Sequence, residues 1–282
     1  MNTDNRRRIK DNIILSFFGI QLLMLLIILS YMVGILIIGG IHVISWKTVF
    51  TSMLKGGLFE TIIGTFLLFS GTAILAAPIG LGAAIYLSEY ASKNNKIVRL
   101  IDQAINNLAG VPSIVTGLFG YTFFVKILGF GISLMSGWLT LTMMALPIIV
   151  RGSEEAIRMV PKEFRETAMA LGATKWQAIK DNVLPTATPG IATSIILGIA
   201  RIAGETAAIL FTACALTMRG LPRTPFDPII SLTYYLFVIL VTSPSTSQNK
   251  AYAAAIILLS LVFLLNLVAI VLRAHYRRKW RR

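Results

Sequence analysis

Acidic residues are scarce in this chain: 12 Asp and Glu stand against 26 Lys and Arg in 282 residues, a formal net charge of +14. Charged residues of both signs reach only 13%, about half the ~25% usual in soluble domains, while hydrophobic residues make up 56%. Length alone suggests two soluble domains, but a water-soluble surface of that size needs far more charge. The single cysteine, Cys214, excludes a disulfide-stapled fold and reads as a packing residue. Two histidines, His42 and His275, lie near opposite ends of the chain, and with one cysteine they cannot complete a zinc site. No Gly-x-x-x-x-Gly-Lys-Ser/Thr run is present, so ATP phosphates cannot be cradled in the P-loop manner. No Gly-x-Ser-x-Gly elbow supports a Ser–His intramembrane protease. The residues point to no covalent chemistry, no metal and no cofactor.

What the chain has instead is long uncharged runs. No charged residue lies between Asp11 and Lys47, Glu60 and Glu89, Asp102 and Lys126, Lys126 and Arg151, or Lys250 and Arg273. Each run reaches the ~20 residues that cross a hydrocarbon core about 30 Å thick. Ile191 to Met218, interrupted only by Arg201 and Glu205, supplies a sixth span. Ile229 to Val241, between Pro228 and Pro244, is too short to cross and is expected as a re-entrant or interfacial helix. With six spans, 19 basic residues fall on the side of both termini and 6 on the other, which places the termini in the cytoplasm. A seventh span would carry the basic tail to the wrong side.

The expected fold is therefore an all-α polytopic membrane protein of six transmembrane helices. Residues 1–12 form a cytoplasmic segment, 13–58 the first span and an outer loop, 59–273 a five-span core, and 274–282 a basic tail. Within the core, 152–185 is a cytoplasmic loop. The apolar run after Arg6-Arg7-Arg8 exceeds a signal peptide's and lacks a small-x-small cleavage site, so it is expected to stay as an anchor. The basic residues are spread over separate loops without a shared aromatic face; they fit topology and anionic membrane lipids, not nucleic acid.

The loop 152–185 has helical chemistry. Pro161 suits a first helical turn, and Phe164, Ala168 and Leu171 share a face over Lys162 to Leu171 before Gly172 stops the helix. Thr174 with Gln177 is a capping-box pair opening a second helix, in which Trp176, Ile179 and Val183 form a stripe and Pro185 is expected to end it. The two faces suit either packing on the protein's own spans or docking in a partner's groove.

The run Glu166-Thr167-Ala168-Met169-Ala170-Leu171-Gly172, with Val183-Leu184-Pro185 at a distance, resembles the EAA loop of binding-protein-dependent ABC importer permeases. Thr167 replaces the family's first Ala, and Asn182 its Ile. The resemblance implies a type I ABC importer permease fold in which the loop docks on a separate ATPase. Glu166 would be a helix-terminal polar contact, Gly172 the turn, and Phe164 and Trp176 groove-filling anchors, with Ala168 and Ile179 on the same faces.

In the fifth span, Arg201 and Glu205 stand four apart on one helical face, beside Ala200, Ala203, Gly204 and Ala207. Helical rise from Pro185 places them roughly 24 and 30 Å in, where an ionisable group must face a cavity or a partner. The pair suits either a neutralising tie between helices or an oxyanion site, since a guanidinium with backbone donors beside Gly204 is bidentate and permanently charged. Ser113 and Thr116, after Pro112, could add hydroxyls, although such groups more often bond back to their own helix. Ala200-Arg201 and Gly204-Glu205-Thr206-Ala207, followed by Leu210-Phe211-Thr212-Ala213, resemble the PstA family of phosphate-specific permease subunits, with Ala208-Ile209 where that family commonly has Pro-Leu. Pro78 to Tyr90 and Val111 to Gly120 fit it too.

That resemblance implies an inorganic phosphate importer without its own ATPase site. It would work with a PstC-like second permease subunit, two PstB-like ATPase subunits and a PstS-like extracytoplasmic phosphate-binding protein. The alternatives are a permease for molybdate or sulfate, the PstC subunit itself, which shares Arg-x-x-x-Glu, or an ion-driven secondary transporter, for which no internal repeat is found.

Overall fold

The computed structural model describes residues 3–92, 94–215, 220–242 and 248–279. Lys93, Leu216 to Arg219, Pro244, Arg281 and Arg282, which enter the span limits or the charge count above, lie outside the described residues. The chain is helical almost throughout: α1 (Thr3–Gly40), α2 (Trp46–Phe50), α3 (Phe59–Tyr90), α4 (Lys96–Ala109), α5 (Ser113–Ile127), α6 (Leu134–Arg158), α7 (Glu163–Ala170), α8 (Lys175–Ile202), α9 (Ala207–Thr212), α10 (Leu232–Thr242) and α11 (Gln248–Lys279).

Helix α6 is the centre of the bundle, with α3 along one side and the 184–202 part of α8 along another. The contacts need small residues. Trp138 of α6 lies on Gly71 of α3 and donates its indole N–H to the Leu67 carbonyl at 2.9 Å. Gly152 of α6 meets Ser194 of α8, and Gly190 of α8 meets Ala156. Such close backbone approach replaces the hydrophobic drive that lipid does not supply between helices. A side chain at Gly71 would enter the Trp138 ring. Gly71→Val is therefore expected to destabilise the bundle by about 1–3 kcal/mol, the range for overpacking, read as a lowered unfolding midpoint in detergent.

The residues of α1 from Ile13 to Leu29 are exposed, and the helix meets the rest where Gly39 and Gly40 lie against Tyr252 and Ile256 of α11. Five helices among the described residues are long and apolar enough to cross a membrane, and the bent pair α4–α5 makes up to six. The third expected span thus differs from the straight run Gln103 to Val125: α4 and α5 meet at 110°. Pro112 supplies the reason, since it lacks an N–H and pushes Val111 out of the helical region, and Gly110 caps α4.

Two further boundaries move. Pro185 does not end the loop's second helix, because α8 runs through it to Ile202. A wide turn at 179–183, in which the Leu184 N–H reaches the Ile179 carbonyl, precedes the proline and absorbs its missing bond. The span expected over Ile191 to Met218 stops at Ile202, reopens at 203–206 and resumes as the short α9. Gly204, the weakest helix former there, lies in that opening.

The segment after Pro228 forms α10, and Ile229 to Tyr235 are buried in the core against α3. The loop before it caps α6: Leu134 N–H donates to the Asp227 carbonyl and Met135 N–H to that of Pro225. The Asp227 carboxylate accepts the Thr224 and Arg223 N–H groups at 2.9 and 2.8 Å, and these bonds, Thr224's first, hold its pKa below the ordinary value. A depressed pKa stabilises the fold above the unfolded value and is lost as pH falls through the folded one. The cap is expected to survive acidification to about pH 5 and to open only below the usual carboxylate pKa of about 4. Amide exchange at Leu134 and Met135, corrected for intrinsic rate, checks this, with Asp227→Asn as the insensitive control.

Candidate functional site

Two clusters carry chemistry, at opposite ends of α8. Arg201, in its last turn, lies some 26 residues, or roughly 39 Å of helical rise, from Lys175 at its start. Its Nη1 donates to the Glu205 Oε1 at 2.8 Å. The pair thus forms even though Glu205 stands in the opening beyond the helix end. The carboxylate is sheltered, its side chain 10% exposed, while the guanidinium side chain is 55% exposed and makes no other hydrogen bond among the described residues. Gly204 is exposed, and a Cβ there would meet nothing within 4 Å, so the backbone beside the pair is open.

The opening is tied from behind by α10. Thr233 Oγ1 donates to the Glu205 carbonyl at 3.2 Å, Ser231 and Thr233 share a 3.0 Å hydrogen bond, and the Leu232 N–H reaches Thr65 Oγ1 of α3 at 2.8 Å. Residue type alone gave no hint of Thr233, which lies 28 positions from Glu205. Ser113 and Thr116 sit at the start of α5, which packs through Gly117 on Ala207 and Ala208. That brings them to the helix just after Glu205. Thr116 is buried and its hydroxyl leans back to the Pro112 carbonyl at 3.5 Å; Ser113 is half-buried. Neither hydroxyl bonds to Arg201 or Glu205.

At the other end, α7 closes at Leu171, and Gly172 follows at φ +89°, the left-handed region that glycine enters without a Cβ clash. Thr174 and Gln177 then cap α8 reciprocally, at 2.8 and 3.3 Å. Phe164, Met169 and Trp176 are exposed, and Leu171 is 84% exposed. Glu163, Phe164, Thr167, Ala168, Leu171, Ala173 and Asn182 line an open groove of about 490 Å³. Glu166 is exposed on the same helix. Ile179 is a correction: at 1% exposed it faces inward with Val183, so the second stripe packs on the bundle and only Trp176 remains outside. The second helix therefore packs its stripe on the protein's own bundle, while the first leaves its apolar face exposed.

One anchor was not visible in the residue pattern. Arg165 of α7 turns inward to Glu89 at the end of α3: Nε donates to Oε1 and Oε2 at 3.0 and 3.1 Å, and Nη2 to Oε1 at 2.5 Å. The same guanidinium reaches the carbonyls of Ile157 and Val160 at 3.0 and 2.8 Å, at the end of α6. Lys175 donates to the Glu89 carbonyl and lies 4.5 Å from the centre of the Tyr90 ring.

The sequence of residues 76–282 matches the family of binding-protein-dependent transport system inner membrane components. The chain belongs to that family. The permease is a multi-pass protein of the cytoplasmic membrane. It is 36% identical over 226 residues to the probable ABC transporter permease protein YqgI of Bacillus subtilis, covering 79% of this chain and 76% of that one. Identity is 35% over 271 residues to the phosphate transport system permease protein PstA of Mycobacterium leprae, covering 93% and 88%. A bacterial alginate ABC transporter superposes with a TM-score of 0.68 at 16% identity, covering 93% of this permease and 94% of that chain, so the fold is that of ABC importer permeases.

Proposed function

We propose that this permease moves inorganic phosphate inward as one membrane subunit of an ATP-driven importer, with both termini in the cytoplasm. The observation that carries the reading is Arg201: a half-exposed guanidinium at the far end of α8, held by a sheltered Glu205 beside open backbone. An arginine facing acyl chains is expensive, so its free side must border an aqueous route shared with a second chain. Its remaining donors suit a tetrahedral oxyanion, and Glu205 keeps the arginine oriented when the route is empty. Relatives named for phosphate transport support that anion over others.

Import runs against the membrane potential, at about 2.3 kcal/mol per charge for each ~100 mV, and twice that for a dianion. A passive pore would leak outward, hence a motor and alternating access. The motor is a pair of ATPase subunits docked on α7, Gly172 and Trp176, and an extracytoplasmic binding protein presents phosphate at the Arg201 end. A PstC-like permease subunit completes the route.

Proteoliposomes test this directly. Vesicles holding the permease, its co-purified partners and the binding protein are expected to take up labelled phosphate only with internal ATP. The permease alone should give none. Uptake by the permease alone, or sulfate or molybdate displacing phosphate at equal concentration, would overturn the reading.

A further inference from the structure

We propose that α3 is a transmission rod, driven through the Arg165–Glu89 pair, that carries motion of the 162–175 segment to the Arg201–Glu205 site. This rests on the coupling reading above. Covalent connection alone would pass that motion only to α6 and α8, the two helices that flank the segment. The side-chain contacts add α3.

The lower joint is rigid. Among the described residues the Arg165–Glu89 ion pair is the most enclosed of five, with side chains 18% and 7% exposed. Every nitrogen of the guanidinium is engaged, by the carboxylate or by carbonyls at the negative end of α6. Lys175, ten residues on, clamps the same turn of α3 through the Glu89 carbonyl and the Tyr90 ring. A desolvated charge held at so many points does not slide by small increments, because each partial break strands a buried charge. The segment and the end of α3 therefore move together.

The upper joint is polar as well. Thr65 lies 24 residues before Glu89, roughly 36 Å along the helix. Its hydroxyl holds the Leu232 N–H, the Gly64 backbone meets Ile230, and Thr233, the residue after Leu232, holds the Glu205 carbonyl. A displacement of α3 along its axis thus reaches α10 and, through Thr233, the backbone of the carboxylate that orients Arg201. This is a contiguous route between two sites, and coupling measurements decide whether it operates.

The full transporter with its ATPase subunits is the test object. Arg165→Gln is expected to leave co-purification of the ATPase unchanged while phosphate moved per ATP hydrolysed falls about tenfold. An unchanged ratio, or loss of ATPase docking, overturns the proposal. Thr65→Val should lower the same ratio, and the double variant should be no worse than the poorer single one; multiplying effects would mean two independent defects and would overturn the rod. Should Arg165→Gln fail to fold, a disulfide-containing thiol cross-linker joining Tyr90→Cys to Lys175→Cys replaces it. Uptake is expected to persist after cross-linking, because these surfaces never part. A block released by reductant overturns the proposal. Failure of the wild-type complex to retain its ATPase would instead refute the coupling reading itself.

Discussion

Arg201→Lys is expected to cut phosphate uptake by the assembled transporter at least about tenfold, with assembly and ATPase docking unchanged. Lysine keeps the positive charge, so potential steering of the anion survives. What it loses is the planar fork that grips Glu205 with one arm and, in the proposed route, would hold an oxyanion with the others. A hydrogen bond to a charged partner contributes about 1.5–3 kcal/mol, which sets the expected factor. Initial uptake rates at saturating binding protein, with the permease quantified in the vesicles, give the measurement. Uptake at the wild-type rate would take Arg201 out of the substrate route and leave the pair as a tie between helix end and loop.

Leu171→Asp and Trp176→Asp should each release the ATPase from the permease. Both side chains are large and apolar, Leu171 84% and Trp176 50% exposed, so the charge change falls outside the buried core. Central apolar anchors of interfaces lose about 2–4 kcal/mol on truncation, so docking affinity should fall by roughly thirtyfold or more. Co-purification from membranes measures it, and a single, unshifted permease peak in size exclusion shows that insertion is intact. Undiminished ATPase in the eluate would place the docking face elsewhere. Ile179→Ala is the contrast, because a residue buried inward should affect stability and not docking.

The residues showed the two clusters in part. Thr174 and Gln177 announced a helix start because a capping box is a local device, complete within four positions. Gly172 announced a turn because left-handed backbone excludes most other residues. Arg201 and Glu205 were conspicuous because ionisable groups are rare in an apolar run. The misreadings share a cause as well. Pro185 reads locally as a terminus, but a wide turn just before it reseats the hydrogen bonds. Gln103 to Val125 has the composition of one span, while Pro112 bends it by 110°. Ile179 and Trp176 share a stripe in the pattern, yet the π-type turn and the neighbouring helices bury one and leave the other outside.

Charge scarcity, run length and local caps settled that the chain is a membrane bundle with a folded loop and one paired charge in its fifth apolar run. They could do so because burial in lipid constrains composition residue by residue, and because caps act within a single turn. Which helices touch was decided only in three dimensions. Arg165 finds Glu89 across 76 positions, Thr65 meets Leu232 across 167, and Thr233 returns to Glu205 from beyond a loop. Such pairings depend on where whole helices come to lie, and no local pattern records that.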